Sequence, residues 1–286
     1  MARRIKISSS VLNIRLHPHP IGVYGDFFQD IFRLRQIVRL HGDRHGMLSL
    51  LNLNDIDQGS ISGTITTFVN IEVDGDWFDA VNLTEATDNQ ISKVSIPENL
   101  HPNSAQYYFY FDVKQHKLYV QNYSKGKILT PNQALTLFGS LSKNINITQK
   151  YNLASINLVQ SKSALDKLFK IDRIDRIIVS ILKPNSDILA DDFEAQIEEH
   201  LANSHARSVT VAYQADPGQS LVPVEDIKTI SNAALENGNV EVIGRNNGLR
   251  VHESTEDNPL ILQNKYDPDH TSEAQAFKHL VNEHKG

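Results

Sequence analysis

The sequence predicts an α+β protein: a β-rich N-terminal half followed by a mixed sheet with alternating helices. Two observations carry this. "GTITTFVNIEV" and "YYFYFDVKQHKLYVQNY" crowd β-branched and aromatic strand formers into the first half. From about Pro131 onward helical and strand patterns alternate, as in layered domains. With 40 % hydrophobic residues over 286 positions, the chain can bury a sizeable core.

The elements follow in order. "KISSSVLNIRLH" alternates as a strand, and "GDFFQDIFRLRQIVRLHG" switches to helical period, with Gly42 placed to stop it. Asp74-Gly75 predicts a hairpin between "GTITTFVNIEV" and "DWFDAVNL". A second hairpin is expected at 107–123, with Lys114 to His116 near its tip, and the polar segment between the two hairpins reads as loop. Thr130-Pro131 opens a helix, because proline is tolerated in the first turn. Strands are then expected at 151–161, 175–184 and 207–215, interleaved with helices at 163–171, 189–204 and 223–237. In the helix at 189–204, Phe193, Ile197 and Leu201 share one face while Asp191, Glu194, Glu198 and Glu199 stay outside. "RNNG" at 245–248 is the turn of a terminal hairpin. The change at Pro131 suggests a β-rich part, 1–130, and an alternating part, 131–286, unless the two form one continuous domain.

Composition removes several function classes. Without cysteine there is no disulfide, thiolate nucleophile or thiolate-bound metal. No apolar run approaches the roughly 20 residues of a membrane span, and the N-terminus lacks a signal-peptide run, so a soluble, cytoplasmic protein without membrane contact is expected. The phosphate-binding and serine-hydrolase motifs G-x-x-x-x-G-K-[ST], G-x-G-x-x-G and G-x-S-x-G do not occur. No cofactor is expected, and a binding protein is expected rather than an enzyme.

The formal charge of −6 hides an asymmetry. Residues 1–45 hold eight Lys/Arg against three Asp, and residues 46–100 hold Lys93 alone against nine Asp/Glu. Either the basic head serves a polyanion, or the two segments neutralise each other. A helix over 27–40 places Phe27, Ile31, Leu34 and Val38 on a core face and pairs Arg33 with Asp30. Phe28, Phe32, Arg35 and Arg39 then form a flanking stripe. Guanidinium groups bind phosphate bidentately and aromatic rings stack on bases, so this stripe suits nucleic acid. Phe28 and Phe32 alternatively anchor a protein interface. "HGDRHG" presents Arg44 and His45 in a glycine-bracketed loop that follows.

Weaker features complete the list. Lys125 and Lys127 flank Gly126, and Arg245 and Arg250 flank a turn, all suited to phosphate contact. His17 and His19 lack a third ligand, and no metal site is assigned. Asp112 and Lys114 weakly echo the Asp/Glu-x-Lys of metal-dependent nucleases, but a charged hairpin tip explains them better.

"RLHGDRHGML", "YYFYFDVKQHKLYVQ" followed by "PNQALTLF", and "VIGRNNGLRVHESTEDNPLIL" resemble a bacterial and prophage family found among antiphage genes. The order of elements from 105 to 215 is also similar to the A protein of the lambda Rex exclusion system and, more loosely, to the B subunit of the Kiwa defence system. The resemblance implies a phage-defence protein that binds DNA, as a homodimer. It carries no functional residue onto this chain. The expectation is therefore a cytoplasmic defence protein that contacts nucleic acid through Arg35, Arg39, Arg44, His45, Lys125, Lys127, Arg245 and Arg250. A sensor or adaptor for a partner of the same defence system and a metal-dependent nuclease toxin are the alternatives.

Overall fold

The computed structural model describes residues 4–17, 20, 22–152, 154–184 and 192–285, with backbone alone at 192–195. The chain opens with β1 (Ile5–Arg15), α1 (Val23–Arg33), β2 (Val38–His41), β3 (Arg44–Asn52) and β4 (Ser60–Val69). An excursion follows with β5 (Phe78–Asp79), β6 (Thr84–Glu85) and α2 (Asp88–Ile91). Then come β7 (Ala105–Asp112), β8 (Lys117–Gln121), the small pair β9 (Tyr123–Ser124) and β10 (Lys127–Ile128), α3 (Pro131–Ser142), α4 (Ile145–Tyr151) and β11 (Ser155–Leu158). The second layer comprises α5 (Lys162–Leu168), β12 (Arg173–Leu182), α6 (Asp192–Asn203), β13 (Ser208–Gln214), α7 (Glu225–Asn237), β14 (Gly238–Asn246) and β15 (Leu249–Ser254). The described chain ends on β16 (Ile261–Tyr266) and α8 (Glu273–Asn282). The α+β class stands.

The first sheet runs β11-β1-β8-β7-β4-β3-β2, with β16 also paired to β1. Successive side chains in a strand point to opposite faces, and the central strands use both. Phe109 and Phe111 of β7 and Leu12 and Ile14 of β1 meet α1, α3 and α4, while Ile7, Val11 and Tyr119 meet Phe277 and Leu280 of α8. Since β11, β16 and α8 all complete this sheet, the change of pattern at Pro131 marks no break between layers.

The second sheet, β13-β12-β14-β15, is antiparallel throughout. One face, carrying Ile177, Val179, Val240 and Val242, is buried against α5 and α7. A polar seam joins the two sheets. Arg15 is fully buried and donates to Asn237 Oδ1 at 2.8 Å and Asn157 Oδ1 at 2.6 Å, while Asn13 and Asn157 donate to the Glu236 carbonyl. A cation and amide donors at the C-terminus of α7 satisfy the negative end of its dipole.

Two expectations are corrected here. The helix over 27–40 stops at Arg33: Leu34 caps it and Arg35 takes a left-handed backbone with φ 47°. The chain then enters β2, where Val38 and Leu40 point inward and Arg39 and His41 outward, so β-branching and period-2 burial win. The hairpin expected at Asp74-Gly75 is absent as well. β4 ends at Val69 and pairs with β3 and β7, because its small and β-branched residues suit a strand covered on both edges. The elements β3, β16 and α8 had no counterpart in the sequence reading.

Candidate nucleic-acid interface

The eight expected contact residues, seven Lys/Arg and His45, lie in three separate places. Near the β2 edge, Arg35 lies in the link after α1, Arg39 lies in β2 and Phe28 is in the core, so no stripe of Phe28, Phe32, Arg35 and Arg39 exists. Phe28 sits among Phe27, Phe109, Phe111 and Phe138 with ring centroids 4.8 to 6.3 Å away, and Phe32 is half-buried against the same core. Phe28 is therefore not available as an anchor for a partner. Arg39 Nε donates to the Gly42 carbonyl at 2.7 Å across the β2–β3 turn, and His45 Nδ1 donates to the Asp43 carbonyl at 3.0 Å. Arg44 is drawn inward, donating to Thr67 Oγ1 at 3.0 Å and Tyr107 OH at 2.9 Å. Burial pushes the Tyr107 phenol up against the opposing pull of Arg44.

Mutual neutralisation by the acidic block is not the role of these groups: Arg33, Arg35, Arg39 and Arg44 make no ion pair with an acid of residues 46–100. Arg33 instead lies 3.8 Å from Asp30, as its spacing predicts. On the β9–β10 hairpin, Lys125 is exposed with φ 48°, and Lys127 Nζ donates to the Asn103 and Ser104 carbonyls. The nuclease pairing dissolves too. Asp112 Oδ1 accepts from the amides of Lys114 and Gln115, and Asp112 Oδ2 lies 3.2 Å from Lys285 Nζ, so the carboxylate is consumed by its own turn. Among the described residues no group of three or more His, Asp or Glu could hold a metal ion. His19, Asp191 and the Phe193 and Glu194 side chains lie outside the described residues.

The remaining two cations open onto a larger cluster. Arg245 of β14 stands opposite Arg173 of β12 on one side and Arg250 of β15 on the other. Residues opposite one another in a ladder share a face. Arg176 joins them because the register shifts between Ile174 and Arg176: the irregularity absorbs one residue, so two arginines three apart point the same way. His252 opposes Ile243 on that face, as Arg176 does from the other side. This is the face away from α5 and α7. All four arginines are exposed.

Like charges placed opposite each other on a sheet are destabilising unless a counter-charge relieves them. Arg173 Nε lies 2.8 Å from Asp175 Oδ1, while the side chains of Arg176, Arg245 and Arg250 have no hydrogen bond or ion pair with a described residue. Asp172 is occupied by the Asn247 amide, and Glu241 by His252 Nε2 at 2.8 Å. With strands about 4.8 Å apart, the arginines form a row roughly 10 Å wide that can grip several phosphate oxygens. Sequence reasoning found Arg245 and Arg250 from their turn and missed Arg173 and Arg176, whose side depends on the register shift.

The most exposed of the described large apolar residues, Val81, lies elsewhere, in the excursion between β4 and β7. Phe78 is 66 % and Val81 89 % exposed, beside a hollow of about 320 Å³ lined by Trp77, Ile91 and Val94. Asp74, Asp76, Glu85 and Asp88 belong to the same excursion. No helix among the described residues is long and apolar enough to cross a membrane.

No curated protein matches the chain. One family model does, over residues 5–282, and the chain belongs to that family, described as a domain of unknown function, DUF4747.

Proposed function

We propose that this protein is a cytoplasmic phage-exclusion protein that binds nucleic acid, DNA foremost, through the open face of the second sheet and acts as a homodimer. The observation that supports binding is the row of Arg173, Arg245 and Arg250 with Arg176 beside it, like charges that a polyphosphate relieves. The phage-defence context comes from the sequence resemblance. Lys125 and Arg35 are exposed cations in other places and contribute at most long-range attraction.

The test is affinity for duplex and single-stranded DNA across a salt series. Phosphate contacts give a log–log slope proportional to the counterions released, and Arg245→Ala with Arg250→Ala lowers it by about two. An unchanged slope sinks the reading, and loss of phage exclusion by the same variant links binding to defence.

A second reading has its own support. The exposed Phe78 and Val81 on an acidic excursion suit a basic protein partner, such as another component of the same defence system. Exclusion abolished by Val81→Asp with DNA affinity intact favours that surface.

A further inference from the structure

The open face of the second sheet runs from the arginine row into a cavity. Along β12, Arg176, Ile178 and Ser180 share that face, and Ser180 lies roughly 13 Å beyond Arg176 at the usual strand rise. Ser180 stands opposite Thr210 of β13 and Asn239 of β14, and these residues help line a cavity of about 460 Å³. Its opposite wall comes from the first layer, with Asn132 and Leu135 of α3 and Ile156 and Leu158 of β11.

The lining selects the chemistry of an occupant. Among the described residues it holds no lysine or arginine, and Glu256 closes part of it, so a phosphate is unwelcome there. Carboxamides and hydroxyls provide donors and acceptors, and aliphatic side chains provide flat apolar contact. Gln160 is 5 % exposed, and its Nε2 is used by the Gly238 carbonyl while Oε1 is buried with no partner among the described residues. A buried acceptor left unpaired is costly, so a donor on an occupant is favoured. The volume falls in the range of small-molecule sites.

We infer that this cavity receives a nucleobase, its polar edge read by the Asn and Gln side chains and its faces held by Leu135, Ile156 and Leu158. Gln160 Oε1 accepts from an exocyclic amine such as that of adenine, Asn132 on the rim offers a whole carboxamide to the base edge, and apolar side chains replace the stacking an unpaired base loses. A strand lying on the sheet puts one base in the cavity and its neighbouring phosphates toward Arg176, Arg173 and Arg245. Glu241 lies between, its carboxylate engaged by His252 and by Asn239 Nδ2. The base comes either from a strand or from a free nucleotide; only the strand as source rests on the proposed nucleic-acid function.

The experiment compares the full chain with labelled octamers of deoxyadenosine, with an octamer of abasic sites of equal charge, and with free AMP. Wild type binds the adenine octamer about tenfold more tightly than the abasic one, the discrimination one well-held base supplies. Asn132→Leu with Thr210→Leu, both on the exposed rim, removes that difference and leaves the salt slope unchanged, and Ser208→Trp, which fills the mouth, does the same. Equal affinity of the two octamers, with the arginine dependence intact and no binding of AMP, overturns the cavity and spares the proposed function. Binding of AMP alone, lost in Ser208→Trp, keeps the cavity as a free-nucleotide site and removes the strand. Binding of none of the three overturns both.

Discussion

The Asp30 carboxylate of α1 accepts a 2.7 Å hydrogen bond from Lys150 Nζ of α4. Tyr151 OH donates to the same oxygen at 2.7 Å, so one acid ties α1 to α4, two of the helices that cover the first sheet. Burial alone raises the Asp30 pKa, but the Lys150 and Tyr151 hydrogen bonds outweigh it and hold it below the ordinary value of 3.8. The Tyr151 phenol is pushed up to about 12, by burial first and by Asp30 next. A carboxylate whose pKa is lowered by folding stabilises the fold fully above its unfolded value, and that contribution is lost as pH falls through the folded value. Asp30→Asn therefore lowers the urea midpoint at pH 7, and the gap between variant and wild type closes below about pH 4. A gap independent of pH refutes the linkage.

Phe28 tests whether the N-terminal helix serves the core or a partner. Its ring is fully buried among four aromatic rings. Phe28→Ala costs about 3–5 kcal/mol, the range for deleting a buried aromatic ring. Denaturant unfolding reads this directly, and the same variant leaves the slope of DNA affinity against salt unchanged. Near-wild-type stability with altered self-association would restore Phe28 as an interface residue.

These two sites show why the fold class was legible in the sequence and the candidate interface only partly so. Aromatic and β-branched runs such as Tyr107 to Phe111 write a strand in any context. "IVRLH" fits both periods: Ile31, Leu34 and Val38 satisfy a helical spacing, while Val38 and Leu40 satisfy a strand spacing, and the β3 partner that decides lies beyond the Gly42 turn. Leu262 and Phe277 cover β1, almost the whole chain length away, which no local pattern reveals. Charge counting placed the cations in the first 45 residues. Arg173, Arg176, Arg245 and Arg250 are scattered over almost 80 positions and converge only through strand register.

One carboxylate ties the Val81 segment of the acidic excursion to α2. Asp79 accepts from the amides of Val81 and Asn82 and from the side chains of Asn82 and Gln90, and those bonds, Gln90 first, lower its pKa to about 2. Asp79→Ala frees the Val81 segment from α2. Amide hydrogen exchange at Val81 and Asn82 rises while that of β4 and β7 stays unchanged. Exchange already at the unprotected rate in wild type would remove Asp79 as the clamp.

Gly244 decides how closely the arginine row is drawn together. It stands opposite Ile174, one step from the Arg173–Arg245 pair, and a Cβ there meets the Arg173 carbonyl oxygen at 2.1 Å. Backbone cannot yield as a side-chain tip can, so Gly244→Ala forces β12 and β14 apart where their register shifts. Overpacking of this kind costs about 1–3 kcal/mol. Gly139 in α3 is the control: nothing lies within 4 Å of its added Cβ, and Gly139→Ala gains about 0.5–1 kcal/mol from helix propensity. Thermal unfolding separates the pair. DNA affinity, measured well below both transitions, falls for Gly244→Ala although every arginine is present, and holds for Gly139→Ala. Equal affinity in both variants would mean that the cations act as independent charges rather than as a row set by strand register.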